Sequence, residues 1–309
     1  MTMAWLNPVR EEFRKRLQGD RLAHAFLLTG QTGTGKQGLA MEMAAALLCL
    51  ENSLPACGSC RSCQLLLSGA HPDFRILSFE LNKSGKLRTE IVIDQVRQLI
   101  SFLQLTTTIS EKKVALVQPA EAMNRNAANA LLKTLEEPPG DAVIILLSND
   151  PSRLAVTIRS RCQKLQVRSP ETDTVLAWLL EEGACGEVEA ISALKAAAGS
   201  PFRARDLLST GGPDHYRLVS DTLESILEGR CAPASAMSAL GDVEPDQLWI
   251  WLSLSAADRF RRTMDNHRVA ISLSQLQNMA DRNRTLLSSP VRKDLLLQDW
   301  LIQWSRLHA

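Results

Sequence analysis

Apolar runs and amphipathic stretches alternate from residue 22 to residue 168. Ala25 to Thr29 is a short apolar run closed by Gly30, the pattern of a buried strand. Asp73–Leu77, Val114–Val117, Val143–Leu147 and Lys164–Val167 repeat that pattern. Between the runs the period changes. Lys36 to Leu50 sets Leu39, Met43, Leu47 and Leu50 at helical spacing. Asn126 to Glu137 reads as a second helix, stopped by Pro138 and Pro139. Strands alternating with helices predict an α/β domain over residues 1–168, built on a parallel sheet covered on both faces.

From Ser169 onward the strand signals stop. Thr172–Glu182 and Glu187–Ala198 read as two short helices, closed by Gly199-Ser-Pro201, and Pro201 starts another. Residues 169–208 therefore form a small helical domain. The rest, 209–309, is rich in Leu and Ala at helical spacing and forms a third, all-α domain. It holds Trp249, Trp251, Trp300 and Trp304, which at helical spacing read as core or interface side chains.

Composition narrows the function. The chain has 309 residues and a net charge of +1, without the basic excess of a freestanding nucleic-acid binder. Aromatic residues are 5%, and Tyr216 is the only tyrosine, so a stacking platform for single strands is not expected. The N-terminus is interrupted early by charge, and no apolar run approaches the length of a membrane span. A cytoplasmic location is expected. There the seven cysteines stay reduced, and clustered ones read as metal ligands.

Gly30-Gln-Thr-Gly33-Thr-Gly35-Lys36 fits a phosphate-binding loop between a strand and a helix. Its glycines let backbone N–H groups turn toward phosphates, and Lys36 reaches the terminal ones. The hydroxyl that should follow Lys36 to ligate magnesium is replaced by Gln37. After Val114–Val117 a second magnesium ligand is expected, yet Gln118 and Pro119 stand there. Glu121, further on, reads as a solvent-facing residue at a helix start. The loop either binds ATP or ADP without hydrolysing it or keeps only the loop's shape.

Cys57-Gly-Ser-Cys60-Arg-Ser-Cys63, with Cys49 upstream, places four thiols within fifteen residues. That matches a closed, structural Zn2+ site. An iron–sulfur cluster is the rival, but no further Cys followed by Pro completes the ferredoxin pattern. Cys162, Cys185 and Cys231 are isolated and read as small buried or semi-buried side chains.

Two more stretches, Asn129-Ala-Leu-Leu-Lys-Thr-Leu-Glu-Glu-Pro-Pro139 and Ile158-Arg-Ser-Arg-Cys162, go beyond generic chemistry. With Arg21-Leu-Ala-His-Ala-Phe-Leu-Leu-Thr-Gly30 and the four-cysteine insert, they resemble the bacterial clamp-loader branch of the AAA+ family over residues 5–207. The resemblance implies a RecA-like domain with a zinc insert at 49–63, a helical lid at 169–208 and a helical collar at 209–309. Among that branch's subunits the chain looks like the non-hydrolysing kind: Gln118-Pro119 replaces the motor's acidic pair, and Gly199-Ser-Pro-Phe202 lacks the sensor-two arginine, with Arg203 one place off. Ser148 and Asn149 fall where sensor-one polar residues sit.

By the same resemblance Arg161 is an arginine finger, serving the ATP site of a neighbouring gamma or tau motor subunit, with Arg159 close enough to share the role. The implied partners are gamma/tau and delta in a hetero-pentamer, and through that complex the sliding clamp and primed DNA. Lys133, Glu136 and Glu137 are then exposed at subunit contacts. Two other readings remain. One is an active clamp-loader ATPase using Gln37 and Glu121 as substitutes; the other is a freestanding zinc-containing nucleic-acid-binding module.

Overall fold

The computed structural model describes residues 3–19, 22–82, 85–182, 185–263 and 266–308; Arg21, which opens one of the stretches above, lies outside them. The chain divides into two units, Met1–Trp178 and Leu179–Ala309.

In the first unit the order is α1 (Asn7–Leu17), β1 (Ala25–Thr29), α2 (Lys36–Leu48), α3 (Arg61–Leu67), β2 (Phe74–Leu77), α4 (Ile93–Leu103), β3 (Lys113–Val117), α5 (Arg125–Glu136), β4 (Ala142–Ser148), α6 (Val156–Arg161) and β5 (Gln163–Gln166). All five apolar runs become strands, within one or two residues of the expected ends. They form one parallel sheet in the order β2-β3-β4-β1-β5.

Successive side chains of a strand point to opposite faces, and this sorts the core in two. Phe26, Leu28, Leu116, Val143 and Ile145 pack with α1 and α2. Leu27, Ala115, Val117, Ile144 and Leu146 pack with α4, α5 and α6. Both faces are thus dry, which is why β1, β3 and β4 read as continuous apolar runs rather than alternating ones.

Four helices of this unit have no counterpart in the sequence reading. α1 is mostly charged, α3 and α6 are short, and α4 begins in a β-branched run, Ile91-Val-Ile93, that fits strand and helix equally. The Gln95 side chain decides the start of α4: it accepts from the Val92 N–H at 3.0 Å and donates to the Ser78 carbonyl. α2 ends two residues before Leu50, because Cys49 turns extended.

α7 (Thr172–Glu181) carries the unit boundary. The second unit continues with α8 (Glu187–Ala196), α9 (Pro201–Ser209), α10 (Gly212–Leu227), α11 (Pro233–Ala239), α12 (Pro245–Arg262), α13 (His267–Thr285) and α14 (Lys293–Ser305). Among its described residues there is no strand. Its tryptophans are core side chains: Trp249, Trp251, Trp300 and Trp304 are all buried. Three of them satisfy their indole N–H on the carbonyls of Ala196, Leu276 and Leu223. That is what a buried Trp requires, and it pins the helices in register. Among the described residues no helix is long and apolar enough to cross a membrane.

Candidate functional site

The phosphate loop follows β1 and runs into α2, as its residues predict. Gly30 has φ +154°, and a Cβ there would lie 2.5 Å from the Val167 carbonyl oxygen, so only glycine fits. Gly33 and Gly35 also have positive φ, at +72° and +90°.

The loop's polar groups are satisfied from inside. Thr34 Oγ1 and Lys36 Nζ both donate to the Gln31 carbonyl, at 2.9 and 2.5 Å. The Trp5 indole N–H donates to the Thr34 carbonyl at 2.9 Å. Lys36 is buried, and burial lowers its pKa to about 8 against the opposing pull of the Glu121 carboxylate. Gln37 is exposed. Nothing in the motif flags Trp5, which reaches the loop from 29 residues away.

Gln118 and Pro119 occupy the end of β3, so no carboxylate stands at that strand's tip. Glu121 does not simply face solvent as expected. One carboxylate oxygen accepts from the Asn149 N–H at 3.0 Å; the other is buried with no hydrogen-bond partner. The Ser148 hydroxyl, at the end of β4, is likewise buried and unpartnered. In the second unit Arg203 donates to Gln247 at 2.9 Å, so its guanidinium is engaged within that unit.

The four-cysteine cluster assembles as the spacing predicts. The Sγ atoms of Cys49, Cys57, Cys60 and Cys63 all lie within 4.8 Å of one another. A tetrahedral zinc with sulfur at about 2.3 Å needs sulfurs roughly 3.8 Å apart, so the donor set fits with a small contraction. Cys49 caps the end of α2, and Cys60 is the N-cap of α3. Backbone N–H groups point at three sulfurs: Cys57 N at Cys49, Cys60 N at Cys57 and Cys63 N at Cys60, at 3.3–3.5 Å. Gly58, at φ +72°, makes the turn between them. Burial pushes the Cys49 thiol up, but N–H and hydroxyl donors outweigh it and bring the pKa to about 6. These donors stabilise thiolate, the form a metal needs.

A buried polar network ties this insert to the sheet. The Ser62 and Ser110 hydroxyls both donate to the Leu48 carbonyl, at 2.6 and 2.8 Å. His71 Nδ1 accepts from the Asp73 N–H at 3.0 Å, so its proton is on Nε2, 2.8 Å from Ser62 Oγ. Asp73 is fully buried and accepts from the N–H groups of Thr108, Ile109 and Ser110 and from Lys113 Nζ.

Arg161 ends α6. Ile158 and Cys162 anchor that helix in the core, and Ser160 and Arg161 turn outward. The Arg161 guanidinium donates to the Thr157 carbonyl at 3.0 Å and pairs with the Glu136 carboxylate. Burial raises the Cys162 thiol to about 12, so this cysteine is a packing residue. Arg159 is half-buried, and its Nε has no hydrogen-bond partner. Lys133, Glu136 and Glu137 are exposed.

Comparison with known proteins gives a consistent picture. A family described as "DNA polymerase III, delta subunit" matches residues 6–171. A Pseudomonas aeruginosa protein named DNA polymerase III subunit delta′ is 36% identical over 308 residues, covering 97% of this chain and 90% of that protein. An Escherichia coli protein named DNA polymerase III subunit tau is 30% identical over 233 residues, but these are only 33% of its length. Among solved structures, a gamma-subunit-related protein from Thermotoga maritima shares the fold with a TM-score of 0.52 and 16% identity, over 97% of this chain and 99% of that one.

Proposed function

The chain belongs to the DNA polymerase III subunit delta′ family, and on that premise we propose that it serves clamp loading in DNA replication as a non-hydrolysing AAA+ subunit that completes a neighbour's ATP site. One contrast carries the reading. The phosphate loop is present, with Thr34 and Lys36 hydrogen-bonded to its own Gln31 carbonyl, but Gln37, Gln118 and Pro119 stand where magnesium ligands belong. The same chain holds out a half-exposed guanidinium at Arg161.

Hydrolysis needs a metal held between loop hydroxyl and strand-end acid, and a water oriented beside it. This chain offers neither ligand. A guanidinium supplied in trans, by contrast, stabilises charge developing on another subunit's transferred phosphate, an effect worth orders of magnitude in rate. Arg161 takes that role toward a gamma/tau subunit. Gly30, Gly33, Gly35 and Lys36 then serve as scaffold.

Zinc at Cys49, Cys57, Cys60 and Cys63 would cross-link the insert and leave no open ligand position for chemistry. Residues 169–208 act as lid and 209–309 as collar, joining gamma/tau and delta in a pentamer that handles the sliding clamp on primed DNA.

The test is ATP hydrolysis by the purified chain, alone and mixed with gamma/tau, delta, clamp and primed DNA, with wild type and Arg161→Ala. The lone chain is expected to be inert, and Arg161→Ala to depress turnover in the mixture. Motor-like hydrolysis by the lone chain would overturn the reading in favour of an ATPase using Gln37 and Glu121. Tight, salt-sensitive DNA binding by the lone chain would favour a nucleic-acid-binding module instead.

A further inference from the structure

We infer that Glu136 is the positioning residue for Arg161, an inference that rests on the finger reading above. A free arginine at a helix end samples many rotamers, and ordering it costs side-chain entropy at the moment of use. Here that cost is met within the subunit. Two acceptors hold the guanidinium, one at each terminal nitrogen: the Thr157 carbonyl in its own helix on Nη1 and the Glu136 carboxylate at the end of α5 on Nη2.

Both acceptors are fixed by packing. Thr157 lies one turn back on α6, next to the fully buried Ile158. Glu136 is the last residue of α5, directly after the buried Leu135. The His24 ring N–H donates to the Leu135 carbonyl at 2.8 Å, which ties the end of α5 to the segment entering β1. The backbone that carries Glu136 therefore stands on the sheet framework rather than on a free loop.

An arginine has five N–H donors in one plane. Two are used by these acceptors and three remain, in a plane whose tilt the pair has set. A planar fork whose tilt is set in this way can meet an anion with its remaining N–H groups. Glu136 does not touch the neighbour's nucleotide in this scheme; it acts only through Arg161.

The experiment uses the complex reconstituted with gamma/tau and delta, and reads the Arg161-dependent part of ATP turnover, wild type less Arg161→Ala. Glu136→Ala is expected to lower that part roughly two- to fivefold, the rate equivalent of orienting one exposed ion pair. The ATP concentration for half-maximal turnover should not move. Glu136→Gln, which keeps an acceptor of the same length, should recover most of the loss. In the Arg161→Ala background Glu136→Ala should do nothing. An unchanged or increased Arg161-dependent rate in Glu136→Ala overturns the proposal and leaves the finger standing. An equal loss in the Arg161→Ala background overturns it too, because Glu136 would then be structural. If Arg161→Ala itself is silent, the finger reading and this one fall together.

Discussion

Asp73→Asn is expected to be among the most damaging single substitutions in the first unit. The carboxylate is fully buried at the start of β2, and its two oxygens accept four hydrogen bonds at 2.8–3.0 Å. Burial pushes its pKa up, but the N–H groups of Ile109 and Ser110, the Lys113 ammonium and the Thr108 N–H together outweigh this and hold it at about 2. Against an ordinary value of 3.8, that is worth roughly 2.5 kcal/mol at neutral pH. Because the folded pKa lies below the unfolded one, this stabilisation is complete above about pH 4 and is lost as pH falls toward 2. An amide would turn an NH2 group toward backbone donors and leave Lys113, 3% exposed, without its counter-charge. Breaking a buried pair from one side costs about 3–5 kcal/mol. Urea unfolding at pH 7 should show that loss, equivalent to roughly 10 °C in Tm for a unit of this size. The variant's stability should also lack the part of the fall between pH 4 and 2 that Asp73 contributes in the wild type. Adding Lys113→Met to Asp73→Asn should restore part of the loss, since Phe102 already lies 4.6 Å from the ammonium and can pack on an apolar chain. A loss below about 1 kcal/mol, or further destabilisation in the double variant, would refute the argument.

Three other outcomes follow from the same geometry. Gly30→Ala should destabilise the first unit by roughly 1–3 kcal/mol, seen as a lowered Tm, because its Cβ meets the Val167 carbonyl and β5 is itself held by Val167 N on Thr29. The purified chain should carry one zinc by elemental analysis; chelation or Cys60→Ser should raise amide exchange in residues 49–67 while the sheet stays protected, and iron with visible absorption would instead mean an iron–sulfur centre. Burial lowers the pKa of His71 more than the nearby Asp73 carboxylate raises it, so its imidazole should titrate below 6.5 by NMR. The associated stability should be complete above pH 6.5 and fall as pH drops through the lower, folded value.

Legibility from sequence followed the range of the interactions. β1, β3 and β4 were readable because burial on both faces leaves an unbroken apolar run, and the cysteine insert because its ligands are close in sequence. What escaped depends on contacts between distant residues. His71, Asp73 and Lys113 carry no motif; their meaning appears only when the 108–113 segment folds over the entry to β2. Glu136 was legible as exposed, but not as the partner of Arg161, 25 residues away. Glu121 misled because charge suggests solvent, whereas its backbone lies on a 3-10 turn that brings the carboxylate to the Asn149 N–H.

On the proposed non-hydrolysing reading, the same distinction explains how a chain can lose nucleotide chemistry and keep a nucleotide loop. Magnesium ligands are needed only when a metal is bound, so Gln37 and Gln118 cost the apo fold nothing. The loop's other residues have work that no ligand supplies. Gly30 clears the Val167 carbonyl, which must lie close for β5 to pair with β1. Thr34 and Lys36 both satisfy the Gln31 carbonyl, and Trp5 satisfies that of Thr34. Replacing Lys36 with an apolar residue would remove one donor and leave Thr34 to hold that carbonyl alone, a modest penalty of about 1 kcal/mol. Replacing Gly30 would disturb the strand beside it. On that reading, motif positions that double as packing positions are kept for the fold, and positions that only hold metal are free to change.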